Sequence, residues 1–244
     1  MMNIYVGTSG FAHKEWKGKF YPEKIPSKDM LRFYAERLGT VEINNTFYHM
    51  PKESVLLSWA GQVPEDFVFA LKAPQVITHF KQLRNVFEET EYLFKSLQVL
   101  DKKLGPVLFQ FPKSFPANLQ ALEDFLPLLP DNIACAFDFR NPSWLAEGAT
   151  ALLQKKGRGW CIEDTDESPV KELLSTTTWG YLRLRRSGYT ERDLSQWADK
   201  ILSQKWDKAY VFFKHEDEGK GAELAMSFQE LIDAKLGGKK LRAG

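Results

Sequence analysis

Val41-Glu42-Ile43-Asn44-Asn45-Thr46-Phe47-Tyr48 begins as a buried strand, because Val41 and Ile43 are apolar. Strand side chains alternate between faces, so Glu42 and Asn44 are expected to share the opposite one. A carboxylate and an amide directed off an apolar strand are costly unless they meet partners or water. Taken alone, the stretch fits an edge strand with one wet face equally well. The sequence on either side of it favours a site.

Upstream, residues 3–8 read as a first buried strand ending in Gly7-Thr8-Ser9-Gly10. An aromatic loop follows (Phe11, His13, Trp16, Phe20, Tyr21), and Ser27 offers an N-cap to a helix carrying Leu31, Tyr34, Ala35 and Leu38. Gly39 ends that helix just before the Glu42 strand. Downstream, Pro51 opens a helix through Trp59, and residues 67–71 form a strand finishing at Lys72. A long connection over 73–85 leads to an amphipathic helix over 86–103. Then come a strand over 107–111, a helix over 115–129, a strand over 133–139 and a helix from Pro142. Trp160-Cys161-Ile162 is a short strand running into Glu163-Asp164, followed by a weak helix near 169–174. A strand over 179–184, a helix over 194–202, a strand over 209–213 and a helix over 222–236 complete the pattern.

About eight strands thus alternate with about eight helices, the arithmetic of a (β/α)₈ TIM-barrel-like fold with parallel strands inside a ring of helices. Most strands are short and apolar, as parallel strands covered on both faces should be. The alternative is an open doubly wound sheet, but no glycine-rich dinucleotide fingerprint follows the first strand. We expect one domain over residues 1–236 and a flexible basic tail over 237–244.

Composition narrows the function classes. The 244 residues include 33 basic and 32 acidic ones, a net charge of +1 that exerts no general pull toward nucleic acid or membrane. No apolar run is long enough for a membrane span, and the start passes directly into a strand, so no signal peptide is expected. Cys135 and Cys161, each in an apolar stretch, suit reduced core residues of a cytoplasmic protein. The histidines have no metal-ligand spacing.

Polar groups recur near the C-terminal ends of the expected strands: Thr8 and Ser9, Glu42 and Asn44, Lys72, Gln110, Asp138 and Arg140, Asp164, Arg183 and Lys214. In a barrel these positions converge on one mouth, where enzymes of this fold place their chemistry. Salt bridges plugging the mouth are the plainer reading, although one or two pairs would suffice for that. Lys72, Arg140, Arg183 and Lys214 slightly outnumber Glu42, Asp138 and Asp164, which suits an anionic small molecule bearing phosphate or carboxylate. Lys72 and Glu42 are the candidates for moving protons, and a crowded, partly desolvated Lys72 would have a lowered pKa. Arg140 and Arg183 would clamp the anion, with Asp138 and Asp164 orienting or ligating. No cofactor is required; the carboxylates also admit Mg²⁺ or Mn²⁺. His13, His79 and His215 fall in loops facing the mouth, as candidate proton shuttles or as ordinary loop histidines.

Several segments resemble the YecE-like family, a domain of unknown function (number seventy-two). They are Gly7-Thr8-Ser9-Gly10, Trp16-Lys17-Gly18-Lys19-Phe20-Tyr21-Pro22, residues 40–48 with Pro51, Lys72, and Ile77-Thr78-His79. The similarity continues through residues 105–112 (GPVLFQFP) and Phe139-Arg140-Asn141-Pro142-Ser143-Trp144. The resemblance implies a TIM-barrel-like fold and supplies no activity. Departures from the family pattern fall at His13, Asp138, Asn141 and Lys214-His215.

The expectation is an enzyme of unassigned reaction class working by acid/base chemistry on an anionic small molecule. Nucleic-acid phosphodiester binding or a nuclease-like activity is the alternative, weakened by the neutral charge balance, and a non-catalytic ligand-binding scaffold is a third. Oligomeric state is not legible.

Overall fold

Eight strands, all parallel, close on themselves in sequential order, with β1 completing the ring against β8. The computed structural model describes residues 2–146, 148–214 and 219–237. The strands are β1 (Asn3–Ser9), β2 (Thr40–Ile43), β3 (Val68–Lys72), β4 (Leu104–Phe111), β5 (Cys135–Phe139), β6 (Gly159–Asp164), β7 (Trp179–Leu184) and β8 (Lys208–Phe213). The α-helices are α1 (Met30–Ala35), α2 (Asn45–Tyr48), α3 (Glu53–Ala60), α4 (Phe87–Leu97), α5 (Leu119–Phe125), α6 (Ser143–Ala146), α7 (Ala149–Lys155), α8 (Glu191–Leu202) and α9 (Lys220–Lys235). This is the closed TIM-barrel-like fold expected from the strand pattern. His215 and residues 238–244 of the expected tail lie outside the described residues.

The two parities of each strand separate cleanly. Ile4, Val6, Val41, Ile43, Phe69, Leu71, Val107, Phe109, Phe137, Ile162, Leu182 and Val211 point outward into the layer shared with the helices. Val68, Ala70, Leu108, Ala136, Cys161, Tyr181, Tyr210 and Phe212 form a second cluster inside the ring. Both faces of the sheet are therefore apolar, as a parallel barrel requires. Tyr5 and Tyr210 stack in the interior with ring centroids 5.0 Å apart. The barrel is thus packed from below, and the inward-facing Glu42 lies above the Tyr181 layer.

Close approach of β1 to β2 depends on Gly7. A Cβ there would lie 2.0 Å from the Thr40 carbonyl oxygen, a backbone atom that β2 cannot move aside.

Four local expectations are corrected. The helix near 169–174 is absent, because its backbone bonds elsewhere: Val170 N–H donates to Asp164 Oδ1 at 2.8 Å, and its carbonyl accepts from Lys200 Nζ. The helix over 86–103 ends at Leu97 and continues as 3-10 turns containing Asp101 at φ 46°. The helix over 115–129 starts only after Asn118, whose side chain accepts from Ala121 N–H, and tightens to a 3-10 turn at Pro127. The helix from Pro142 is two helices, α6 and α7, the second starting after left-handed Gly148. The connection over 73–85 holds a π-helical turn, Val76–Phe80, followed by left-handed Gln82, Leu83 and Asn85. Such turns and left-handed non-glycine residues cluster at functional positions.

Candidate functional site

β2 is no edge strand: all four of its residues are buried, and it lies between β1 and β3. Glu42 points into the barrel just above Tyr181. Its Oε2 accepts from the Tyr181 hydroxyl at 2.7 Å. Its Oε1 accepts from Ser9 Oγ at 2.9 Å, Arg183 Nη2 at 3.0 Å and Asn44 Nδ2 at 3.3 Å. Asn44 lies beyond the end of the strand, at the N-terminus of α2, yet it meets Glu42 as the sequence pattern anticipates. Burial alone would raise the Glu42 pKa, but Arg183 and the Tyr181 and Ser9 hydroxyls outweigh it and hold it at about 2. Glu42 is a fixed anion.

Arg183 is the centre of the network. Besides Glu42, its Nη1 donates to Asp138 Oδ2 at 3.2 Å and to Glu163 Oε1 at 3.1 Å. The register pairs Glu163 directly with Arg183 across β6 and β7, and Gln110 with Asp138 across β4 and β5. Gln110 Nε2 donates to Asp138 Oδ2 at 2.7 Å. Burial opposes the Arg183 charge, but the three carboxylates overcome this and secure the guanidinium. Its Nε is buried without a partner among the described residues.

Glu163 is the carboxylate that the strand-end pattern misses. One oxygen, Oε1, is within reach of Arg183, of Arg140 Nη2 at 3.2 Å and of Arg185 Nε at 3.4 Å. Its Oε2 meets no donor among the described residues. Burial and the neighbouring Asp138 raise its pKa against the pull of the arginines. Adjacent Asp164, expected in the mouth, faces the opposite way. It accepts from Arg186 Nε at 2.9 Å and from the Tyr189 hydroxyl at 2.8 Å, and anchors Val170. Thr8 likewise turns outward: its N–H donates to the Tyr34 hydroxyl at 2.9 Å, and its own hydroxyl donates to the Gly10 carbonyl. The structure places Ser9 and Glu163 in the mouth, and Thr8 and Asp164 outside it.

Lys72 closes β3 and differs from the other cations. Its Nζ lies 3.8 Å above the Phe47 ring centroid and makes no hydrogen bond or ion pair among the described residues. Burial and nearby Arg183 lower its pKa to about 8, although Glu42 and Asp138 act in the other direction. His79 shares a hydrogen bond of 2.9 Å with the Thr78 hydroxyl and packs its ring against Phe47. Burial, then Lys72 and Arg140, lower the His79 pKa. His13 is occupied near β1, with Nε2 3.3 Å from the Ser9 carbonyl and its ring against Trp16.

On the β4–β8 side, a cleft of about 590 Å³ opens beside these groups, bordered among others by Lys113, Asp138, Arg140, Glu163, Arg185 and Lys214. Arg140 is its inner wall, with Nε 4.0 Å from Asp138 Oδ2. Among the described residues no group of three or more His, Cys, Asp or Glu side chains is arranged to hold a metal ion. No described helix is long and apolar enough to cross a membrane.

The family model described as a protein of unknown function, DUF72, matches residues 5–243. The chain belongs to the DUF72 family. A DUF72 protein of Thermotoga maritima, known from its crystal structure, is 27% identical and superposes with a TM-score of 0.84, covering 95% of this chain and 99% of its own. UPF0759 protein YunF of Bacillus subtilis is 25% identical over 96% of both chains. UPF0759 protein YecE of Escherichia coli K12 is 31% identical over 63% of this chain and 54% of its own. In this DUF72 chain the family-like segments converge on the mouth. Gly7-Thr8-Ser9-Gly10 delivers Ser9, residues 40–48 deliver Glu42, Asn44 and Phe47, and residues 105–112 deliver Gln110.

Proposed function

We propose that this DUF72 protein is a cytoplasmic enzyme performing acid/base chemistry on a small anionic molecule held at the barrel mouth. The observation that carries this reading is the contrast between Lys72 and the residues around it. Glu42, Asp138 and Arg183 are locked together, whereas Lys72 is half-buried, unpaired among the described residues and held near pKa 8. A lysine in that state can accept and return a proton near neutral pH.

Glu163 is the natural counterpart. It lies three strands from Lys72 around the ring, its pKa displaced upward while that of Lys72 is displaced downward. A carboxyl shifted up and an amine shifted down both move toward neutral pH, where general acids and bases work best. Glu42, expected as a proton carrier, suits a different task here, since four donors keep it ionised and aim Arg183. The anion is supported by charge at the inner mouth, where Arg140, Arg183, Arg185 and Lys72 outnumber Glu42, Asp138 and Glu163 by one; elsewhere on the cleft Asp166 and Glu167 match Lys113 and Lys214 in number. Arg140 and Arg185, rather than fully enclosed Arg183, are the guanidinium groups able to reach a ligand, with Lys214 beside them.

The test is a thermal-shift panel of inorganic phosphate, sulfate, phosphorylated sugars, sugar acids and divalent metals. Ligands that bind only the folded state raise the melting temperature. Phosphate- or carboxylate-bearing compounds should do so, and less in Arg140→Ala and Arg185→Ala. Compounds that bind are then incubated in D₂O, where NMR should show deuterium exchange or turnover that disappears in Lys72→Met and Glu163→Gln. A mouth that binds only neutral sugars would overturn the reading.

A second reading is a nucleic-acid ligand, favoured by Tyr48 and Phe80, which are 64% and 71% exposed just beyond β2 and β3 and could stack bases. Salt-sensitive oligonucleotide binding would support it.

A further inference from the structure

The geometry points to Lys72 as a covalent site, an amine that condenses with the carbonyl group of an anionic aldehyde or ketone to form an imine in the barrel mouth. This inference rests on the acid/base reading above and narrows its substrate class to carbonyl compounds.

Imine formation needs an amine that can be approached, that is not tied up by a carboxylate, and whose cationic product is stabilised. Lys72 is only partly buried, at the C-terminal end of β3 and on its inward-facing parity, and its Nζ has no hydrogen bond or ion pair among the described residues, which answers the first two conditions. The carboxylates that could have captured it are already held by Arg183. The third condition is met by Phe47, whose ring face lies 3.8 Å from Nζ and favours a cation there, whether ammonium or iminium. Glu42 and Asp138 add attraction at longer range.

The step balances without an oxidant or a reductant. The Nζ lone pair attacks the carbonyl carbon, forming a C–N bond, and the carbonyl π electrons move to oxygen. A proton passes from nitrogen to that oxygen, giving a carbinolamine. Uptake of one further proton lets the hydroxyl leave as water, and the nitrogen lone pair closes the C=N bond of the iminium. Glu163, whose Oε2 is unpartnered among the described residues and whose pKa is displaced upward by burial and Asp138, can relay that proton from solvent into the mouth.

Borohydride trapping distinguishes Lys72 from the rest of the surface. The protein is incubated at pH 8 with glyoxylate or glycolaldehyde phosphate and sodium cyanoborohydride, which delivers hydride to an iminium, and modified lysines are located by peptide mass mapping. At that pH about half of Lys72 is neutral, against well under about 1% of an ordinary exposed lysine. Lys72 should therefore be modified on the order of tenfold faster than any other lysine. Excess phosphate should slow that labelling, and Lys72→Arg should lose it while keeping its melting temperature. Labelling spread over surface lysines, with no preference for Lys72, overturns the inference. If glyoxylate or phosphate still raises the melting temperature in that case, anion binding and the acid/base reading survive; if neither does, both fail.

Discussion

Arg183 Nη2 lies 3.0 Å from Glu42 Oε1, with the side chains 3% and 0% exposed, so this ion pair is formed across the barrel interior out of contact with water. Two ions are removed from solvent there, and their attraction offsets that loss only because every remaining oxygen of Glu42 is also bonded. Removing one partner leaves the other charged and unaccompanied. Arg183→Met should therefore destabilise the fold by about 3–5 kcal/mol, measured by urea denaturation at pH 7. A loss below about 1 kcal/mol would show that water reaches Glu42 and solvates it.

The same pair dictates acid sensitivity. Glu42 has a folded-state pKa of about 2 against its ordinary 4.5, so the unfolded chain takes up its proton first as pH falls. Its stabilisation, about 3 kcal/mol, is complete above about pH 4.5 and is lost as pH falls toward 2. In Glu42→Gln that part of the pH dependence should vanish. Urea midpoints collected between pH 2.5 and 6 for both proteins would show whether the two curves converge at the acid end.

Lys72 should behave in the opposite sense. Its folded-state pKa is about 8 against an ordinary 10.5. Below pH 8 both folded and unfolded states carry the proton, and the folded state bears the whole penalty of a buried, unpaired ammonium. Between pH 8 and 10.5 the folded state sheds the proton first, and stability rises. Lys72→Met should thus be more stable than wild type by about 1–3 kcal/mol at pH 7, with the gap narrowing toward pH 10.5. A variant less stable than wild type at pH 7 would mean that the Phe47 contact outweighs desolvation.

Glu163→Gln preserves shape but leaves Arg140, Arg183 and Arg185 with less opposing charge. Sulfate affinity, read by isothermal titration calorimetry at low salt, should rise by about fivefold, equivalent to roughly 1 kcal/mol of electrostatic attraction. Any catalytic turnover should fall at the same time. Weaker sulfate binding would place the anion away from these arginines.

Gly7→Ala tests closure. Its Cβ would overlap the Thr40 carbonyl, and neither backbone can yield without breaking the β1–β2 ladder. We expect a loss of about 3 kcal/mol, the upper end for overpacking because the clash is with backbone, seen as insoluble expression or a much lowered melting temperature.

The barrel was legible because its evidence is repetitive: short apolar runs, each ending in a polar residue, recur through the chain. The mouth was legible only to within one residue per strand. In Trp160-Cys161-Ile162 all three residues are apolar, so alternation cannot say whether Glu163 or Asp164 faces inward. The register with Arg183 decides it for Glu163. Thr8 and Ser9 present the same ambiguity, resolved by Tyr34 drawing Thr8 outward. The π-turn at Val76–Phe80 left no trace in periodicity, since five residues are too few to show one. The pairing of Arg183 with three carboxylates depends on contacts as far apart as 141 residues along the chain, which no local pattern encodes.

Arg183 joins β7 to β2, β5 and β6, spanning the opening from one wall to the others. Such a cross-brace fixes the bore of the barrel, so the strands cannot widen to admit a bulkier ligand. Adjustment of ligand choice is left to parts outside the brace: Lys72 with its Phe47 cover, Arg140, Arg185, and the loops after β4 and β6. Exchanging those loops between DUF72 relatives should transfer ligand preference while the braced interior keeps its shape.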